Sequence, residues 1–421
     1  MRKEIKIEEI NLSEFKNKVL QYGRNFKDFI FLDSNHFTNA NEKFTYYDYD
    51  FLAAIDSLHN IYNIKDLESH CSENKDWLFG YLSYDLKNEI EELESNNIDE
   101  LHFSTIHFFI PHIIIYSRKS KVSVIYNDKN ETEQNVLEII KTINNSDFKK
   151  FKKQPSLILN QRFSKKEYIE TVQKLKNHIQ RGDIYEVNFC QEFFSISEID
   201  PIETFLKLNS ISPAPFSCFL KMKDKYLISA SPERFIKKNK SKIISQPIKG
   251  TIRRGENPDE DIWLKEQLYN DLKERAENVM IVDLVRNDLS RTAQKGTVKV
   301  EELYGIYSFT QVHQMISTVV SEINNKTNII EVIKNAFPMG SMTGAPKIRA
   351  MQLIEEYEKT KRGLYSGSVG FITPQNDFDF NVVIRSILYN ESKKYVSYTV
   401  GGAITSLSEP EKEYEECMVK A

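Results

Sequence analysis

The stretch Lys242-Ile243-Ile244-Ser245-Gln246-Pro247-Ile248-Lys249-Gly250-Thr251 reads as a β-strand from Lys242 to Ile248 that delivers a lysine to its end, beside a flexible glycine. A lysine so placed can reach into a cleft as an amine nucleophile if its pKa is lowered. An ordinary lysine titrates at about 10.4, so only about one molecule in 2,500 is neutral at pH 7. Taken alone, a solvated or acid-paired lysine is the commoner reading. The surrounding segments decide between the two.

Just upstream, Tyr226–Ser229 and Arg234–Lys237 read as further strands, and Ser231-Pro232-Glu233 makes a tight turn between them. Downstream, one long helix is expected over roughly 260–289, with Leu264, Leu268, Leu272, Ala276, Met280 and Leu284 at i+4 as its packing face. Further out, Lys165–Arg181 is an amphipathic helix closed by Gly182-Asp183, and Tyr185–Phe194 is a strand. Asp379–Tyr389 and Tyr395–Val400 are strands, and Ser408-Glu409-Pro410-Glu411 matches a capping box opening a last helix. Interspersed strands and helices, with adjacent strand pairs, give an α/β or α+β fold with antiparallel sheets. The polar stretch 127–155 divides the chain into lobes 1–155 and 156–421.

With 421 residues, 40% hydrophobic and 28% charged, the chain can bury a large core. A net charge of −4 without a single-sign tail argues against nucleic-acid binding. The run Lys149, Lys150, Lys152, Lys153 is read as a solvated linker. Cys71, Cys190, Cys218 and Cys417 lie far apart with no C-x-x-C pair, which argues against a disulfide framework and a zinc site. The charged start Met1-Arg2-Lys3-Glu4 lacks a signal-peptide core, and Phe108–Tyr116 is short and broken by Pro111. No membrane association and a cytoplasmic location are expected.

Two carboxylate pairs stand out: Glu274 with Glu277, and Glu413 with Glu416, each at i and i+3 on a helix. Facing one another, four carboxylates would repel unless a cation bridged them, and an oxygen-only donor set favours Mg²⁺. The alternative is two solvated acidic faces, common in a chain with 61 acids. Glu233 can act as a general acid if its surroundings raise its pKa. Gly401-Gly402-Ala403 leaves backbone amides open to a ligand carboxylate. Arg385 is a lone charge in an apolar strand, a pattern that pairs with an internal acid or a ligand anion. Gly340–Lys347 lacks the spacing of a nucleotide loop.

Together these segments resemble the chorismate-utilising enzymes, and within them the branch of aminodeoxychorismate synthase component I. The runs that carry the resemblance are Gly182–Asn188, Ser231–Phe235, Pro247–Thr251, Arg275–Asn278, Gly340–Lys347, Ser366–Gly370, Val383–Ser386 and Gly401–Ala403. Leu32-Asp33-Ser34 and Gly80–Tyr84 resemble the family's opening lobe. The resemblance implies a sandwich of two large antiparallel sheets with outer helices and chorismate in a central cleft. It implies that Glu277 and Glu416 hold Mg²⁺, with Glu274 and Glu413 assisting through water. It places Arg385, Lys420 and the amides of Gly401 and Gly402 on the enolpyruvyl carboxylate, Thr251 against the ring, and Glu233 as the acid for the leaving C4 hydroxyl.

Lys249 implies the amination branch, since relatives making anthranilate, salicylate or isochorismate carry alanine there. In that branch the lysine is thought to add to C2 of chorismate before ammonia adds at C4. Four nearby carboxylates would raise the lysine pKa, and bound Mg²⁺ is expected to offset them. Glu186 departs from the glutamine usual in this branch and would position ammonium or act as a base; Gln314 replaces a ring-facing histidine. Ammonia is expected from a separate glutamine amidotransferase subunit, since no cysteine here sits in a Gly-x-Cys-x-Gly elbow. Ser34, Pro213 and Phe216 match the region where some relatives bind tryptophan, read here as a structural pocket. Anthranilate synthase component I is the alternative member.

Overall fold

Two antiparallel sheets meet along the thirteen-residue strand Ile106–Arg118 of this computed structural model, which describes residues 2–8, 10–35, 48–73, 75–146 and 157–421. One sheet runs from that strand through Phe51–Ile61, Asp28–Asp33, Phe216–Met222, Lys225–Ser231, Ser386–Asn390, Tyr395–Ile404 and Glu186–Ile196. The other runs through Leu78–Leu82, Ser368–Ile372, Phe378–Asn381, Arg234–Asn239, Lys242–Gln246 and Val312–Glu322. Val312–Glu322 then pairs with both Ile248–Arg253 and Lys299–Ser308. The expected sandwich is therefore present, joined into one hydrogen-bonded network. The linker lysines 149–153 and the expected lobe boundary lie outside the described residues.

Both faces of the first sheet are covered, which explains its nearly continuous apolar strands. In Asp28–Asp33, Ile30 enters the core between the sheets with Leu52, Leu220, Phe79, Ile243 and Phe380. Phe29 and Phe31 point the other way, against Phe15 and Val19, Val136 and Ile140, and Phe205 of three covering helices. Each such side chain contributes roughly 1.5–3 kcal/mol through burial. Pro111 sits opposite Ser57 beside a register shift, where its missing N–H costs no ladder bond. Among the described residues, no helix is long and apolar enough to cross a membrane.

Four elements differ from the sequence reading, three of them at the site. The expected 260–289 helix is two helices, Pro258–Asn270 and Leu272–Ser290. Asp271 accepts the Glu274 N–H at 2.9 Å and so starts a new helix. The break resets the helical phase: Leu272 is 81% exposed, and Glu277, Asn278, Ile281, Val282 and Val285 are buried instead. The strand Lys242–Ile248 stops at Gln246, because Pro247 cannot donate to the ladder, and resumes at Ile248. The strand 379–389 is interrupted at residues 382–385, leaving Arg385 outside it in the left-handed region at φ 48°. Ser408 makes no capping box; its Oγ accepts the Thr405 N–H, and Glu409 is the N-cap of Pro410–Lys420. The helix Lys165–Arg181 has the expected bounds, with a Ser164/Glu167 capping box and Gly182 at φ 85°.

Candidate active site

Lys249 lies in a β-bulge. Ile248 pairs with Ile316 and Thr251 with Gln314, so Lys249 and Gly250 together oppose Met315 alone. Gly250 adopts φ +94°, and a Cβ there would lie 3.2 Å from Glu274 Oε2 and from Met315 Cβ. A side chain at that position would be both strained and crowded. The bulge takes Lys249 off the ladder and aims it across the cleft, where Nζ donates to Glu186 Oε1 at 2.7 Å. Glu186 is 1% exposed, and its other oxygen, Oε2, is buried without a hydrogen-bond partner. Burial opposes the Lys249 charge, yet Glu186, Glu277 and Glu233 together outweigh it and hold its pKa above the ordinary value.

Glu233 is buried beside this pair. Its Oε1 accepts from Ser341 Oγ at 2.7 Å, and burial pushes its pKa up to about 7 despite nearby Lys249 and Arg385. The kink at 382–385 is stitched to the Glu233 turn: Val382 N–H donates to the Glu233 carbonyl and Ser231 Oγ to the Val382 carbonyl. That places Arg385 beside Glu233 and open to the cleft, its pKa lowered by desolvation. Its guanidinium makes no hydrogen bond or ion pair among the described residues. Gln314 Nε2 reaches Thr251 Oγ1 at 3.4 Å. His313 points the opposite way, with Nε2 2.8 Å from Asp261, so it cannot replace a ring-facing histidine.

The four glutamates come from the other side. Glu274 and Glu277 project from Leu272–Ser290, Glu413 and Glu416 from Pro410–Lys420. Gly250 lets Glu274 approach the bulge, and Gly402 lets Glu413 come near the strand, 3.5 Å from where a Cβ would stand. At Gly401 a Cβ would fall 2.4 Å from Cys190 Sγ, so only glycine fits. Lys420 Nζ donates to the Gly401 carbonyl at 3.1 Å and pairs with Glu416 at 2.7 Å, which lies below its ordinary pKa. Glu274 and Glu413 are raised by burial, and Glu277 is pushed up to about 7.

Among the described residues, no three of these acids are drawn in tightly enough to enclose an ion. Their chemistry nonetheless fits a hard divalent cation. Glu277 is 8% exposed, its buried Oε1 has no hydrogen-bond partner, and like charges crowd it. Lys273 and Ser341 have roles that the sequence reading did not assign. Ser341 sits in the quoted run Gly340–Lys347; Lys273 adjoins Glu274 but was hidden among ordinary surface lysines.

The tryptophan-region residues separate. Ser34 and Phe216 line a cavity of about 60 Å³ with Leu32, Tyr49 and Phe371, and Pro215 lines it rather than Pro213. The Ala214 carbonyl, held by Asn35 at 2.8 Å and Ser217 at 3.0 Å, fixes the turn that presents Pro215.

Comparison with known proteins bears on the fold and the family. The family model of chorismate binding enzymes matches residues 20–421. Anthranilate synthase component 1 of Aquifex aeolicus is 34% identical over 360 residues, covering 82% of this chain and 72% of that protein. The chloroplastic aminodeoxychorismate synthase of Arabidopsis thaliana is 42% identical over 261 residues, covering 61% of this chain but only 28% of that protein. The crystal structure of anthranilate synthase component I from Streptococcus pneumoniae superposes with TM-score 0.78 at 22% identity, covering 92% of this chain and 94% of that one. Relatives of similar likeness thus bear the names of two different activities. The chain belongs to the chorismate binding enzyme family.

Proposed function

We propose that this chain is the chorismate-aminating component of an aminodeoxychorismate synthase, converting chorismate and ammonia to 4-amino-4-deoxychorismate. The observation that carries the reading is Lys249, aimed into the cleft by its bulge and hydrogen-bonded to Glu186 at 2.7 Å. A tethered amine beside the ring has a large effective-concentration advantage over free ammonia.

The roles follow from the residues. Glu186 is the base nearest to Lys249 and takes its proton, freeing the amine to add to C2, once positive charge at the glutamate cluster offsets the acids that hold the amine above its ordinary pKa. Glu233, half-protonated near neutral pH, gives its proton to the hydroxyl departing from C4. Arg385 pairs with the enolpyruvyl carboxylate, aided by the backbone at Gly401–Gly402 and by Lys420. Thr251 and Gln314 lie against the ring. Ammonia then adds at C4 and Lys249 leaves from C2, restoring the ring's unsaturation. Glu277 and Glu416, with Glu274 and Glu413 beside them, would hold Mg²⁺, which when bound engages a substrate carboxylate and polarises the ring.

Ammonia would come from a glutamine amidotransferase subunit. All four cysteines are buried, and burial pushes the thiols of Cys71 and Cys190 up to about 12, the reverse of an activated nucleophile. The second reading is anthranilate synthase component I, favoured by the 34% identity to the Aquifex protein.

A chromatographic product assay decides between them. The purified chain with chorismate, Mg²⁺ and ammonium should yield aminodeoxychorismate, converted to para-aminobenzoate only when a lyase is added. Glutamine should not replace ammonium. Anthranilate as product would overturn the amination reading.

A further inference from the structure

Lys273 has no part in the reaction above, yet the charges of the four acids converge on it. Its Nζ lies 3.8 Å from Glu277 Oε1; burial opposes its charge, yet Glu277, Glu413, Glu274 and Glu416 outweigh that and hold its pKa above the ordinary value. It sits in the first turn of Leu272–Ser290, where a helix dipole disfavours a cation, so the acids rather than the helix hold it there. At 3.8 Å it neutralises without hydrogen-bonding, and Glu277 Oε1 remains unsatisfied. Glu416 has its own partner in Lys420.

We infer that Lys273 is an exchangeable counter-ion: it offsets the buried, unsatisfied Glu277 carboxylate until a divalent cation takes its place, and so sets that cation's affinity. The inference rests on the metal reading of this cluster. The Lys273 side chain is 43% exposed, so Nζ can swing out to water without moving the backbone. A divalent cation among the same carboxylates would repel the ammonium at twice the strength of a monovalent one. Metal binding is then an exchange of one cation for another, with the lysine displaced to solvent.

The test uses the full chain without chorismate. Isothermal titration calorimetry with MgCl₂ compares wild type, Lys273→Met and Lys273→Arg. Reductive methylation read by mass spectrometry follows Lys273 in the unaltered chain, with and without Mg²⁺. Lys273→Met should bind Mg²⁺ at least about tenfold tighter, and Lys273→Arg should stay close to wild type. Methylation of Lys273 should speed up on Mg²⁺ saturation. Equal or weaker binding by Lys273→Met, or labelling indifferent to Mg²⁺, overturns the inference while the metal reading stands. Absence of Mg²⁺ binding in all three proteins overturns both.

Discussion

The two walls of the cleft are built on opposite electrostatic principles. On the strand wall, Lys249, Glu186 and Glu233 are locked by short hydrogen bonds inside a packed sheet, at 2.7 Å for Lys249–Glu186 and for Ser341–Glu233. On the helix wall, four glutamates crowd together, offset by Lys273 and Lys420 on the same two helices and by Lys249 from across the cleft. The strand wall is hydrogen-bonded at Lys249 and Glu233 as the chain folds, with Glu186 Oε2 left unsatisfied. The helix wall carries an excess of negative charge that folding alone does not neutralise. A reaction centre needs fixed geometry where bonds change and uncompensated charge where a mobile ion is received, and under the proposed function the strand wall would supply the first and the helix wall the second.

The largest effect should come from removing Lys249, the strand wall's proposed nucleophile. Lys249→Ala is expected to slow aminodeoxychorismate formation at least about 10³-fold, followed by chromatography at saturating chorismate. A wild-type rate would mean that ammonia attacks directly and that the bulge serves packing only. Next comes the helix wall. Glu416→Gln should lower turnover about 10²-fold or more at every Mg²⁺ concentration. Full activity at high Mg²⁺ would show that this wall binds the ion without Glu416.

The smallest effect concerns pH and tells the walls apart. Glu233 must be protonated to act as an acid, so turnover should fall about tenfold per pH unit above about 7. Linkage gives the sign for stability. Glu233 titrates at about 7 when folded against about 4.3 unfolded, so the folded state binds the extra proton between those values. Stability contributed by this group is full below about pH 4.3 and is lost as pH rises towards 7, by roughly 4 kcal/mol. Glu233→Gln should flatten that slope in urea unfolding measured from pH 4 to 8. An unchanged slope would move the titration to the helix wall, where Glu277 also sits near 7.

Much of this arrangement was legible along the chain. Ser164, Glu167 and Gly182 bound their helix through local hydrogen bonds and backbone freedom, which a linear reading can follow. The i, i+3 spacing put each glutamate pair on one helical face for the same reason. Arg385 was misplaced because its run is apolar enough to pass for strand, and only the turn at Ser231–Glu233 imposes the kink. Asp271 broke the long helix because its side chain competes for the Glu274 N–H, an outcome that helical periodicity does not register.

The sequence by itself determined the chemical inventory: which acids share a helix face, which lysine stands beside a glycine, and which family the motifs resemble. Those properties depend on residue type and on spacings of a few residues. Tertiary structure alone decided that Lys249 meets Glu186 across 63 residues of chain, that Ser341 meets Glu233, and that Lys273 stands among the acids of two helices. Such contacts are set by strand register, by a bulge and by helix phase, which arise only when distant segments pack together.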